Sequence, residues 1–282
     1  MSSIMIQGTT SSAGKSMMSM ALCRIFSKDG HNVSPFKSQN MSREFTYTED
    51  HKKISVAQAI QAVAAGKRPQ TQMNPILLIP DTNTGSKVLL HGEEVGLMEA
   101  REYFEYRKSL KETVRSTYDE LHSSHDIVVI EGAGSPAEIN LRQDDIVNMG
   151  MAEMADAPVL LVTDIDRGGA FAALYGTVML LEPHERRRIK GLIINKFRGD
   201  ASLLDSGIKI LEEKLGIPVL GIVPYAETQI ADEDSIVEGS KKEFHGESGI
   251  DSLQMEIDRF SEIVRDSLDM DYIYSLLGEI ND

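Results

Sequence analysis

The chain of 282 residues has one cysteine, no tryptophan, 6% aromatic residues and a shortage of cations, with 29 Lys and Arg against 44 Asp and Glu for a formal net charge of −15. Each shortage excludes something. Cys23 alone makes no intramolecular disulfide and no thiolate cluster for zinc or an iron–sulfur centre, so a reducing cytoplasm is the expected compartment. The seven histidines lack the spacing of a zinc site. An acidic chain is a poor partner for nucleic acid, whose phosphates require a basic surface. No apolar run is long enough to span a bilayer, and the opening MSSIMIQG has no basic n-region, so neither a membrane span nor a signal peptide is expected.

Hydrophobic residues make up 41% of the chain, enough for a substantial core. Short runs that are apolar on consecutive positions recur at 4–7, 32–36, 126–130, 158–162, 191–195 and 218–223, the pattern of strands covered on both faces. Between them, 15–28, 54–65, 100–122, 170–181 and 202–215 carry apolar residues at helical spacing. Strands alternating with helices predict an α/β fold with a doubly wound, mostly parallel sheet and an active site at the carboxyl ends of its strands. The stretch 70–96 interrupts the alternation with turn signals and one short strand at 87–90, and is expected to be an excursion over those ends. The expected organisation is a domain over 1–238, an acidic linker over 239–249 and a helical tail over 250–282.

The strongest local signal is Gly8-Thr9-Thr10-Ser11-Ser12-Ala13-Gly14-Lys15-Ser16, between a strand and a helix. Such a loop aims successive N–H groups and a helix N-terminus at phosphates, with Lys15 on the outer phosphates and Ser16 on magnesium. Glu131, ending a buried strand, stands where a nucleoside triphosphatase places a second magnesium contact. Lys37 ends the second strand and faces the same crevice as Lys15, where two ammonium groups neutralise a triphosphate. Arg167, after Asp166, offers a planar fork for phosphate or carboxylate. Asn195 and Lys196 end a late strand where a nucleotide base would lie, and the amide can both donate and accept. Cys23, Met17, Met18 and Met20 read as packing.

Taken together, the motifs at 7–16, 35–41, 73–78, 131–142, 164–169 and 194–199 resemble the synthetase domain of the cobyric acid synthase family, which is related to dethiobiotin synthetase. The resemblance implies a P-loop fold of the dethiobiotin synthetase type, ATP and Mg2+ as cofactors, and amidation of corrinoid carboxylates, as on a cobyrinic acid a,c-diamide, in cobalamin biosynthesis. It implies that Gly8, Thr9, Thr10, Ser12, Ala13, Gly14, Lys15, Ser16 and Met17 hold nucleotide together with Asn195 and Lys196. By the same token Lys15, Lys37 and Glu131 are catalytic, Ser16 and Glu131 bind metal, and Asn40, Ser135, Asn140, Arg142, Asp166 and Arg167 line the acceptor. A homodimer is also implied, and the apolar face of the C-terminal helix offers it a contact.

Three departures qualify the resemblance. Lys53 and Val56 stand where the family has Glu and Arg, and Ile79 replaces a Lys. The family's glutaminase domain has no counterpart after residue 238, although 257–277 resembles its extreme C-terminal helix, as after internal loss. Ammonia would then come free or from a separate glutaminase. Two other readings stay open: a ligase for a different carboxylate, and an ATP-binding partner or regulatory protein that has lost amidation. Whichever holds, Lys15→Ala is expected to abolish ATP binding or turnover, whereas Cys23→Ala leaves both nearly intact, as measured by nucleotide binding and phosphate release.

Overall fold

The computed structural model describes residues 1–81, 85–228, 230 and 247–278. The chain opens with β1 (Ser2–Gly8), α1 (Lys15–Lys28), β2 (Val33–Phe36), β3 (Gln39–Met41), β4 (Phe45–Tyr47), β5 (Lys53–Ser55) and α2 (Val56–Ala64). It continues through β6 (Ile76–Pro80), β7 (Gly85–Leu90), β8 (Glu93–Glu99), α3 (Ala100–Ser109), α4 (Lys111–Ser124) and β9 (Ile127–Glu131). Then come α5 (Met149–Met154), β10 (Val159–Asp164), α6 (Ala170–Leu180), α7 (Pro183–Arg186), β11 (Ile189–Phe197), α8 (Asp205–Leu215), β12 (Val219–Pro224), α9 (Glu247–Ser267) and α10 (Met270–Leu277).

All six expected strands fall in one parallel sheet, ordered β12-β11-β10-β1-β9-β2. Successive side chains of a strand point to opposite faces, so each strand feeds two cores. Ile4, Ile6, Val129, Leu160 and Val162 join α1, α2, α9 and α10 on one face. Met5, Val128, Ile130, Leu161 and Leu192 join α4, α5, α6 and α8 on the other. After β1 the chain runs outward to β2 and back to β9, then crosses to β10 on the other side of β1. The crevice at this switch point collects the carboxyl ends of β1, β9 and β10.

The stretch 70–96 is more regular than expected. It supplies β6, β7 and β8, which join β3 in a second sheet ordered β3-β6-β7-β8. Strand β8 (EEVGLME) is acidic and contains Gly96, residues of low β-propensity, so its local pattern does not announce a strand. The long helix expected over 100–122 breaks at Leu110, which is buried and serves as both the end of α3 and the cap of α4.

The expected linker over 239–249 lies, as far as residue 246, outside the described residues. Beyond it, α9 and α10 share the core of the first face: Leu253, Ile257, Phe260, Val264, Ile273 and Leu277 are buried with Leu22, Cys23 and Phe26 of α1. The apolar face that the sequence offered to a second subunit is therefore spent within the chain. Ion pairs edge this contact, Arg24–Asp258 at 2.6 Å, Lys28–Asp258 at 2.9 Å and Arg265–Asp29 at 2.7 Å. The hydrogen bond from Arg24 holds the Asp258 carboxyl below its ordinary range. For Asp29, burial opposes ionisation but the Arg265 and Tyr274 hydrogen bonds outweigh it. Both contributions are present above about pH 4 and are lost as pH falls through the depressed values. Partly exposed pairs are worth about 0–1 kcal/mol each, against about 1.5–3 kcal/mol for each buried aliphatic side chain, so apolar contact governs the docking. Among the described residues no helix is long and apolar enough to cross a membrane.

Gly221 of β12 marks the tightest point of that docking, since a Cβ there would lie 1.9 Å from the Ser267 carbonyl oxygen at the end of α9. Gly221→Ala is expected to destabilise by about 1–3 kcal/mol, lowering Tm by roughly 2–4 °C per kcal/mol, whereas Asp258→Asn costs at most about 1 kcal/mol. Thermal unfolding of the two variants tests the order.

Candidate functional site

The loop between β1 and α1 is built to leave its backbone open. Gly14 precedes α1 with φ +98°, and no side chain caps the helix. A Cβ on Gly14 would fall 2.1 Å from Asn195 Nδ2, so both conformation and space demand glycine here. The loop rests on the end of β11: Asn195 Nδ2 donates to the Ala13 carbonyl at 3.0 Å, and Lys196 Nζ donates to the Ser12 carbonyl at 2.6 Å. Lys196 is also 3.2 Å from Asp164 Oδ2 at the end of β10. Thr9 reaches Thr163 of β10, hydroxyl to hydroxyl, at 3.0 Å. Thr10 is exposed, while Met17 is buried in the core beneath α1.

Behind the loop lies Glu131, with no exposed surface. Its Oε1 accepts from Ser16 Oγ at 2.8 Å and from Lys37 Nζ at 2.8 Å. Its Oε2 accepts from Gln61 Nε2 at 2.5 Å and Gln58 Nε2 at 3.3 Å. Four donors surround one buried carboxylate, so both of its oxygens are hydrogen-bonded within the protein. Lys15 Nζ donates to the carbonyls of Thr10 and Gly134, each at 3.1 Å. Gln58 is itself held, its side-chain oxygen accepting from Asn40 Nδ2 at 2.6 Å and from the Ser55 hydroxyl. Ser55 in turn caps α2.

Sequence reasoning missed Gln58 and Gln61. The available signal was two amides three residues apart in Val56-Ala-Gln-Ala-Ile-Gln-Ala-Val-Ala64, which the helix brings onto one buried face. Cys23 sits close by, and burial, followed by the Glu131 charge, pushes its thiol up, so it stays protonated as a core residue should.

A cavity of about 360 Å3 opens beside the loop. Lys15, Lys37, Asn40, Arg107, Ser135 and Arg142 are among the residues that line it. Three other expected acceptor residues do not. Asn140 is exposed, and Asp166 and Arg167 follow β10, where Arg167 is 63% exposed and 3.5 Å from Asp164, and Asp166 meets Arg198 at 3.4 Å. The departures from the family pattern also fall outside the cavity. Lys53 lays its ammonium over the Phe45 ring at 4.8 Å, Val56 opens α2 against the first core, and Ile79 pairs with Lys87 in the second sheet. Two larger hollows, of about 530 and 470 Å3, include neither Lys15 nor Lys37 among their lining residues.

The donor set can be tested against a magnesium nucleotide. A hydroxyl and a carboxylate are hard oxygen ligands of the kind magnesium takes, and two lysines match a polyphosphate at the N-terminus of a helix that no side chain caps. The residues fit.

Residues 4–236 match the family model described as the CobQ/CobB/MinD/ParA nucleotide binding domain. The cobyric acid synthase of Alkaliphilus metalliredigens is 55% identical over 246 residues, covering 87% of this chain and 49% of that protein. That of Lachnoclostridium phytofermentans is 58% identical over 240 residues, covering 84% and 47%. The chain thus spans about half the length of the curated relatives it matches. Among solved structures, the MinD cell division protein of Aquifex aeolicus aligns with a TM-score of 0.47 at 15% identity, covering 99% of this chain and 98% of that one. By the match over most of its length, this chain belongs to the CobQ/CobB/MinD/ParA nucleotide-binding domain family, with the cobyric acid synthases among its relatives.

Proposed function

We propose that the chain is the ATP-dependent carboxylate-activating part of a corrinoid amide ligase of cobalamin biosynthesis. The observation that carries this reading is the shared cavity: Lys15 of the phosphate loop and Lys37, paired with Glu131, both face a space large enough to admit part of a carboxylate-bearing ligand. ATP and magnesium would be held by Gly8 to Met17, with Ser16 and Glu131 as oxygen ligands and Asn195 and Lys196 at the base side. Bound ATP supplies the phosphoryl group that makes a carboxylate a competent acyl donor.

A carboxylate oxygen of the acceptor attacks the γ-phosphorus, forming an acyl phosphate and releasing ADP. Ammonia, free or from a separate glutaminase, then displaces phosphate to leave the amide. Lys15 and Lys37 stabilise charge on the transferring group, because preorganised cations in a desolvated site act more strongly than in water. Glu131 fixes Lys37 and Ser16 in place. Asn40, Ser135 and Arg142 form the acceptor wall. Residues 1–238 carry this chemistry, while α9 and α10 brace α1 from behind.

Two measurements test the proposal. Phosphate release by the full chain is expected to require both cobyrinic acid a,c-diamide and ammonium; ATP turnover indifferent to any carboxylate acceptor would sink it. A double-mutant cycle on the buried pair separates stability from chemistry. Glu131→Gln or Lys37→Met alone strands its partner and is expected to cost about 3–5 kcal/mol in denaturant unfolding, with the double variant costing less than the sum. Phosphate release falls by about 10²–10³-fold in each single variant and is not restored in the double, since the lysine charge and carboxylate are both gone.

A further inference from the structure

The cavity wall contains a second kind of cation that the phosphate chemistry leaves unused. Arg107 sits in the last turn of α3 and is only 6% exposed. Its Nη2 donates to the Gln143 carbonyl at 2.9 Å and its guanidinium lies 4.8 Å from the centroid of the Phe104 ring. Its Nε is buried without a hydrogen-bond partner, and among the described residues no carboxylate pairs with it. The end of α3 offsets part of this charge through its dipole, but a helix terminus provides no fork-shaped acceptor.

The other charges of the wall are already spent. Arg142 pairs with Glu182 at 3.1 Å and Glu185 at 3.4 Å, and donates to the Leu180 carbonyl at 2.9 Å. Asp145 accepts from the backbone N–H groups of Val147, Asn148 and Gly150. Glu138 accepts from the Ser135 N–H, and Glu185 from the Glu182 N–H as well as from Arg142. One guanidinium in this wall is therefore neutralised by the protein and one is not. A buried, unpaired guanidinium at a cavity surface is suited to a carboxylate arriving with the ligand.

We infer that Arg107 binds a second carboxylate of the acceptor, one that is not being activated, so that the site selects a polycarboxylate. This assignment rests on the proposed function and names a specificity-determining residue for it. Lys15 and Lys37 serve the phosphoryl group and the reacting carboxylate, Arg107 holds the molecule by another arm, and Arg142 frames the wall.

Equilibrium dialysis of the full chain, followed by corrinoid absorbance, tests the assignment with two ligands. Cobyrinic acid a,c-diamide carries free peripheral carboxylates, and a fully amidated corrinoid carries amides in place of all of them. Arg107→Gln is expected to weaken the diamide roughly 10–100-fold and the fully amidated corrinoid less than about threefold, because only the first loses a charge-assisted contact. ATP affinity of the same preparations reports that they are folded. Arg107→Lys keeps the charge but not the fork, and is expected to weaken the diamide selectively by about 3–10-fold, which decides the matter if Arg107→Gln does not fold. Equal losses for both ligands, or none for the diamide, overturn the role of Arg107 while leaving the proposed function standing. A wild-type chain that binds ATP but not the diamide overturns both.

Discussion

The arrangement depends on one buried carboxylate. Glu131 ends β9 with no exposed surface, and an isolated charge there would cost several kcal/mol in desolvation. Its two oxygens are satisfied by Ser16 at the start of α1, Lys37 after β2, and Gln58 and Gln61 of α2. Three segments distant in sequence are thereby drawn to one point, and none can leave without exposing the charge to an apolar interior. The phosphate loop, the second lysine and the cavity mouth take their relative positions from this requirement.

The loop is held from its other side by different chemistry. Asn195 and Lys196 reach up from β11 to the carbonyls of Ala13 and Ser12, while Lys196 is steadied by Asp164. Carbonyls that are occupied from below leave the N–H groups of the same peptides directed away from β11. The close approach of Asn195 is also what excludes a side chain at Gly14. An amide that the sequence suggests as a reader of a nucleotide base thus already has a structural duty, with one of its hydrogens on Ala13 and its oxygen accepting from the Lys196 N–H. A second amide hydrogen remains for a ligand.

How much of this was legible depends on how each residue signals. The six strands of the main sheet were readable because strands buried on both faces are apolar at consecutive positions. β6 and β8 were not, the first ending in Pro80 among turn residues and the second bearing Glu93, Glu94 and Glu99 on a largely exposed edge. Lys15, Lys37 and Glu131 stood out as charges at strand ends or in a glycine loop. Gln58 and Gln61 carry no charge and lie in a helix of Ala, Ile and Val, so their function appears only when α2 is packed against β9. The resemblance set Asp166 and Arg167 on the acceptor side, whereas in the fold both follow β10 and neither lines this cavity. Arg107 is the converse case. Nothing local distinguishes it from its neighbours Lys108 and Arg101, and only the fold shows that it alone among those three is buried.

Burial also reconciles a net charge of −15 with the anionic ligands proposed for the cavity. Exposed charges separated by more than about 8 Å are largely screened at physiological ionic strength, so the surplus of surface carboxylates contributes only a weak, salt-dependent repulsion at a distance. Lys15, Lys37 and Arg107, all less than one-tenth exposed, act within the cavity, where screening is poor and each contact counts for more. The two fields act on different stages of binding. On the proposed reading the outer one slows approach, and the inner one sets affinity and selects for ligands whose carboxylates reach both Arg107 and the Lys15–Lys37 side of the cavity. On that reading a single carboxylate engages only one end of the arrangement, so the spacing of charge on the ligand counts for more than its total charge.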